Sequence, residues 1–284
     1  MVDTNPWVRH IELANRGEIL LNPELLEIIK YAYKKKVTLR ATVGVNLNTV
    51  DDEVLHGMVK YKFADITCSI DGASQEIYAI YRRNGNFDDV IANIRKINEY
   101  KKKYRSKAPY LIWQFIAFGH NEHEIPKARQ MARDLQMQFY VKLNSNEAYS
   151  PVKDKELIRK ESGIGVASRT EYKEKNGKGY SRSTCLQIWD YPRINFDGKM
   201  LGCCQNLWGD FGNAFKEGLS ECFNNEKMNY ARGMLTGAKE AKEGIPCTTC
   251  PIYKSMKNDA NWIKPKEIAV YCKKQPIQEI YKIS

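Results

Sequence analysis

Cys185, Cys203, Cys247 and Cys250 carry the most chemical information in this sequence. Cys247-Thr248-Thr249-Cys250 is a two-residue-spaced pair. At that spacing a tight turn brings two thiolates to one metal while backbone N–H groups point at the sulfurs. Cys185 opens and Cys203 closes a segment that reads as a β-hairpin: Ile188 to Phe196, an Asp197-Gly198 turn, and Lys199 to Cys204. The four together form an all-sulfur donor set that suits Zn2+ and an iron-sulfur cluster alike, and spacing does not separate the two. Such a pair also serves as a redox dithiol, and free cysteines also sit in ordinary cores. Cys68 falls in an apolar strand pattern and reads as core. Cys222 falls in a helical one, while Cys204 and Cys272 stand as substitute ligands.

This metal reading presumes reduced thiols. The first 30 residues hold polar and acidic groups where a signal peptide needs an apolar stretch, and no uncharged run is long enough to cross a bilayer. The expected address is therefore cytoplasmic, with no membrane partner, and there cysteines stay reduced. A chain of 284 residues with 43% hydrophobic and 28% charged residues is globular in composition, which excludes disordered and fibrous classes. The net charge of +11 favours an anionic partner. Its densest run, Arg95, Lys96, Lys101, Lys102, Lys103, Arg105 and Lys107, reads as the solvated end of one helix. Elsewhere basic residues are interspersed with acids and no recognised module is present, which argues against nucleic acid.

The elements that must position these groups follow from periodicity. Asn22 and Pro23 open a helix of about 13 residues. A strand follows over 37–43, a helix over 51–61 and a strand over 64–70. Ser74 caps a short helix, 87–104 is a longer amphipathic one, 110–118 reads as a buried strand, 123–135 as a helix and 138–143 as a strand. Strand and helix alternation at this spacing predicts parallel βαβ units in an open sheet or barrel, with ligands at the carboxyl ends of the strands. Beyond Leu143 the pattern fails. Residues 144–184 read as a linker or loop, a hairpin unit starts at Cys185, and a helix is expected over 216–234. The expected division is 1–143, 144–184 and 185–284.

In this order the features resemble a radical S-adenosylmethionine (radical SAM) protein with a C-terminal SPASM or twitch-type auxiliary-cluster domain. Arg16-Gly17-Glu18-Ile19-Leu20-Leu21-Asn22-Pro23 is similar to the family's Gly-Gly-Glu-Pro-Leu-Leu-Asn-Pro segment, whose glutamate receives the amino group of the SAM methionine. Ser69-Ile70-Asp71-Gly72, then Tyr81-Arg82 and Gly85-Asn86-Phe87, resembles the family's fourth-strand segment. The resemblance thus implies cofactor binding by Glu18, Ser69, Asp71 and Arg82, with Arg82 gripping the methionine carboxylate through two prongs. Gly119-His120-Asn121-Glu122 is similar to the loop that packs beside adenine. Cys185-x12-Gly198-x4-Cys203 followed by Cys247-x2-Cys250 is similar to the SPASM pattern. Met256 and Ala260 stand where a second cluster would have cysteines, so one auxiliary 4Fe-4S cluster is expected, with Zn2+ as the alternative.

The implied fold is α/β, a partial (β/α) barrel followed by a small Cys-rich domain with a β-hairpin. The implied chemistry is reductive SAM cleavage and hydrogen abstraction from a peptide, sugar or small metabolite, with a reductant such as flavodoxin or ferredoxin. No Cys-x3-Cys-x2-Cys, the family's ligand set for its radical-initiating cluster, occurs in the sequence. The first β/α unit is therefore expected to be missing, SAM binding to be limited by that loss, and the chain to be incompetent alone. The alternative is a non-catalytic interaction module in which four cysteines bind zinc or a cluster.

Overall fold

The computed structural model describes residues 1–14 and 16–273. They divide into two compact units, Trp7–Arg169 and a second that joins Met1–Pro6 to the chain from Thr170 to Lys273. The part of the expected 185–284 segment beyond Lys273 lies outside the described residues. Among these residues no helix is long and apolar enough to cross a membrane.

The first unit is an open α/β sheet. Its strands β1 (His10–Glu12), β2 (Thr38–Val45), β3 (Asp65–Ser69), β4 (Tyr110–Ala117) and β5 (Gln138–Leu143) lie in sequence order and pair in parallel throughout. The crossovers carry α1 (Leu25–Lys34), α2 (Asp52–Lys60), α3 (Gln75–Tyr81), α4 (Phe87–Lys103) and α5 (Ile125–Asp134). Right-handed connections between neighbours in such an order place every helix on one face. Side-chain alternation follows. Trp113 meets Phe87 of α4 and Phe139 meets Arg129 of α5, so the odd-numbered residues of β4 and β5 face the helices. Trp113 and Phe115 are fully buried there, each worth about 1.5–3 kcal/mol over exposure. The opposite face carries Gln114, Tyr140 and Lys142, a polar set inside an otherwise apolar run.

The helix ends are specified locally. Ser74 caps α3 by accepting from the Ile77 N–H, and Asn86 caps α4 by accepting from those of Asp88 and Asp89. Between Ala41 and Val45 the pairing of β2 with β3 shifts register, and Gly44 sits in that irregularity with φ +127°, a conformation open to glycine.

Residues 144–184, expected as linker or loop, instead carry α6 (Lys155–Glu161) and α7 (Arg169–Asn176). Asp154 caps α6 through the Leu157 N–H at 2.9 Å, Ile158 is buried beneath it, and Arg129 pairs with Glu161. One apolar anchor with a cap and an ion pair suffices where the composition reads as solvent-exposed. The expected first strand of the hairpin begins as a helix, α8 (Gln187–Asp190), because Ile188 turns inward and Arg232 donates to its carbonyl at 2.8 and 3.1 Å. The hairpin itself is present but short. Ile194 bridges Met200 across the Asp197-Gly198 turn, and Met200 pairs onward with Gly212 and Phe211.

The single helix expected over 216–234 is two, α9 (Leu219–Asn224) and α10 (Glu226–Leu235). Asn225 breaks them with extended backbone and caps α10 by accepting from the Met228 N–H at 2.8 Å. Asn225→Ala is expected to cost about 1 kcal/mol of stability, read from the urea midpoint of the chain. The unit closes with α11 (Pro251–Asn258) and α12 (Pro265–Lys273).

Candidate cofactor and metal sites

At the carboxyl end of the sheet, the turn after β1 presents Glu18. Its carboxylate accepts from the Asn46 N–H just beyond β2 at 2.7 Å and from Leu20 N–H at 3.2 Å. Burial pushes its pKa up, against those hydrogen bonds and the nearby Arg82 guanidinium, which pull it down. Ser69 ends β3. A β-carbon on Gly44 would stand 2.3 Å from its hydroxyl oxygen, so only glycine leaves that oxygen room.

Asp71, directly after β3, has no exposed surface. Its Oδ2 accepts from Arg82 Nε and Nη2, each at 2.6 Å, and its Oδ1 from the Ile116 N–H at 2.7 Å. Burial raises its pKa and Arg82 draws it back. Both oxygens are therefore committed, and the two-pronged edge of Arg82, expected for a ligand carboxylate, is taken by Asp71. A sequence pattern of Asp and Arg eleven positions apart gives no hint of that pairing.

Around this pair runs a buried network that the sequence reading missed. Asn121 donates to the carbonyls of Asp71 (3.1 Å) and Ile116 (3.0 Å) and accepts from Phe118 N–H, while Glu124 accepts from Ala73 N–H at 2.6 Å. It locks the loop after β3 to the loop after β4. In the latter loop His120 stacks on Phe118 and shares a 2.8 Å hydrogen bond with Ser150, and burial lowers its pKa.

The second unit builds the other site. Cys185 lies in a 3-10 turn, Arg182–Leu186. Arg182 anchors the turn through Glu267 at 2.8 and 3.1 Å and the carbonyls of Asn261 and Trp262. Cys203 follows the hairpin; burial pushes its pKa up, against the N–H groups of Gln205 and Asn206, which pull it down. Cys247 lies in the 3-10 turn Pro246–Thr249 and Cys250 follows it, and Pro251 starts α11 where a missing N–H costs nothing. Gly198 has φ +85°, and a β-carbon on it would meet Asn213 Oδ1 at 2.5 Å and the Phe215 ring at 2.7 Å. Its place in the Cys-Gly-Cys order is thus a requirement of the turn.

All four sulfur-bearing residues line one cavity, walled otherwise by apolar side chains such as Ile188, Leu201, Phe211 and Leu235. Asn206, 3% exposed, braces the wall by donating to the Leu201 and Gly209 carbonyls at 2.8 Å, and Trp208 donates to the Pro246 carbonyl at 2.8 Å. Burial and the neighbouring thiols push Cys247 up to about 12 and Cys185 well above the usual thiol range. Among the described residues no three His, Cys, Asp or Glu side chains are disposed to hold a single ion. Cys68, Cys204, Cys222 and Cys272 do not line the cavity; Cys68 is buried in β3, and Cys204 sits in the loop with its N–H given to Gln187 at 2.7 Å.

The Radical SAM superfamily profile matches residues 16–132, and that of SPASM, an iron-sulfur cluster-binding domain, matches residues 185–251. The chain carries a radical SAM domain joined to a SPASM domain. Its fold is similar to Streptococcus suis SuiB bound to S-adenosylmethionine, with a TM-score of 0.56 and 13% identity over 84% of this chain and 58% of that one. SuiB bound to its precursor peptide SuiA gives the same figures, and SuiB alone a TM-score of 0.55 at 14% identity, covering 84% and 59%. This radical SAM/SPASM chain therefore spans less than two thirds of those structures. No curated protein sequence matches it.

The donors fit the groups such domains hold. Four thiols around an apolar cavity are the chemistry of an iron-sulfur ligand set. At the carboxyl end of the sheet, a half-buried carboxylate after β1 and a hydroxyl at the end of β3 suit the ammonium and the carboxylate of an amino acid.

Proposed function

We propose that this chain is the SAM-binding and auxiliary-cluster portion of a radical SAM/SPASM enzyme, unable alone to cleave S-adenosylmethionine. The observation that carries the reading is the gathering of Cys185, Cys203, Cys247 and Cys250 on one apolar cavity. They would hold one auxiliary 4Fe-4S cluster. The match to an iron-sulfur cluster-binding domain over residues 185–251 favours such a cluster over a lone zinc ion. At the sheet, Glu18 would receive the ammonium of the methionine portion, Ser69 and the outer edge of Arg82 its carboxylate, and Asp71 would act through Arg82 by holding it in place. S-adenosylmethionine, when bound beside a reduced cluster, supplies the family's hydrogen-abstracting chemistry. The 284 residues contain no Cys-x3-Cys-x2-Cys to hold such a cluster. The likeness to a protein solved with a precursor peptide supports a peptide as the substrate class.

Anaerobic reconstitution with iron and sulfide is the test. Cluster absorbance with stoichiometric iron, and no 5′-deoxyadenosine under reduction, is the expected result. One equivalent of zinc with no iron points to the zinc module, and robust 5′-deoxyadenosine formation defeats the claim of incompetence.

Glu18 makes the binding pH-dependent. Burial raises its pKa, so the carboxylate is lost at a higher pH than an exposed glutamate's as acid is added. Affinity for S-adenosylmethionine should fall with decreasing pH through a midpoint above that of an exposed glutamate. Glu18→Gln should bind weakly at every pH, which calorimetric titration across pH would show.

A further inference from the structure

Two side chains at the carboxyl end of the sheet are more than nine-tenths buried and yet each keeps an unused donor. Ser69 is 8% exposed and Gln114 3%, and they are register partners on β3 and β4. The Gln114 amide cannot be turned either way. Lys142, whose ammonium only donates, lies 3.1 Å from its Oε1, and the Tyr140 hydroxyl donates to the same oxygen. The amide nitrogen therefore points away from β5. It stands 3.7 Å, and the Ser69 oxygen 2.3 Å, from the point a β-carbon on Gly44 would occupy. Glycine thus clears a notch across β2, β3 and β4, and two donors on rigid strands converge on it. Among the described residues neither the Ser69 hydroxyl nor Gln114 Nε2 has a hydrogen-bond partner.

A notch furnished with an amide N–H, a hydroxyl and a cation one residue behind selects a compact anionic acceptor. Arg82, whose Nε–Nη2 edge is held by Asp71, offers such an acceptor only its outer edge, so further donors are needed. We propose that Gln114 Nε2 is a binding residue for the methionine carboxylate of S-adenosylmethionine, shared with Ser69 and locked in orientation by Lys142 and Tyr140. This rests on reading the sheet end as the S-adenosylmethionine site.

The full chain is titrated calorimetrically with S-adenosylmethionine and with 5′-methylthioadenosine, which keeps the adenosine end and lacks the amino acid. Gln114→Leu should weaken the first roughly tenfold or more and leave the second unchanged, as expected for one hydrogen bond to a charged group. Gln114→Glu should weaken it further by repulsion, and Lys142→Met less, by freeing the amide to flip. Matching circular dichroism and urea midpoints establish that the variants fold. Unchanged S-adenosylmethionine affinity in folded Gln114→Leu overturns the proposal and leaves the site standing. Equal losses for both ligands overturn it as well, since the carboxylate is then not what is lost. Wild-type chain that binds neither ligand removes the site and the proposal together.

Discussion

Serine in place of any one of Cys185, Cys203, Cys247 or Cys250 should strip iron and sulfide from the reconstituted chain and unfold the unit built from Thr170 onward. The cavity these residues line is walled by Ile188, Leu201, Phe211 and Leu235. Without a bound centre it places thiols whose pKa values burial has raised against one another. A structural metal centre contributes to folding directly, on the order of 10 kcal/mol for zinc in small peptide domains, so losing one ligand removes a large share of what holds the unit together. Cys204→Ser and Cys272→Ser should keep full iron content, because neither lines the cavity. Iron and sulfide assays on the six variants, beside urea unfolding, check this; retention in one of the four, or loss in one of the two, redraws the ligand set.

The second large effect is expected at Asp71. Asp71→Ala leaves the partly exposed Arg82 guanidinium and the Ile116 N–H without the fully buried carboxylate they share. Breaking a buried pair from one side costs about 3–5 kcal/mol, measured as the shift in urea unfolding of the first unit. Asp71→Asn should cost less, since an amide oxygen still accepts from Ile116. Arg82→Ala strands the carboxylate instead. Burial already raises the Asp71 pKa and Arg82 is what draws it down, so the variant's deficit should shrink as pH falls and the carboxyl takes up a proton. A deficit that is flat from neutral to acid pH contradicts the assignment.

Most of the sheet was legible because its signals are local. Val37 to Val43 and Gln138 to Leu143 show strand residues where β2 and β5 form, and Ser74 caps α3 as its type predicts. The four cysteines were legible from a turn-compatible pair and a Cys-Gly-Cys order whose glycine meets Asn213 and Phe215. What escaped depends on partners distant in sequence. Gln114, Tyr140 and Lys142 sit in aromatic and apolar strands, and only the pairing of β4 with β5 makes a trio of them. Asp71, implied as a cofactor-binding residue, has its two oxygens taken by Arg82 and by the Ile116 N–H, a partner 45 positions away. Gln187 to Asp190 suits a strand or a helix by type, and Arg232 from α10 settles it. Asn225 was a missed cap in plain view.

The order of the strands has a bearing on synthesis. Each of β2 to β5 pairs with the strand made just before it, so along Trp7–Arg169 every newly emerged segment meets a finished neighbour, and assembly keeps pace with a ribosome. The later unit has no such convenience: Cys185 must await Cys250, and Met1–Pro6, translated before the sheet, belongs with residues made after it, from Thr170 to Lys273. Nascent chains stalled short of Cys250 should therefore shield the sheet from protease while leaving everything after Thr170 open to it.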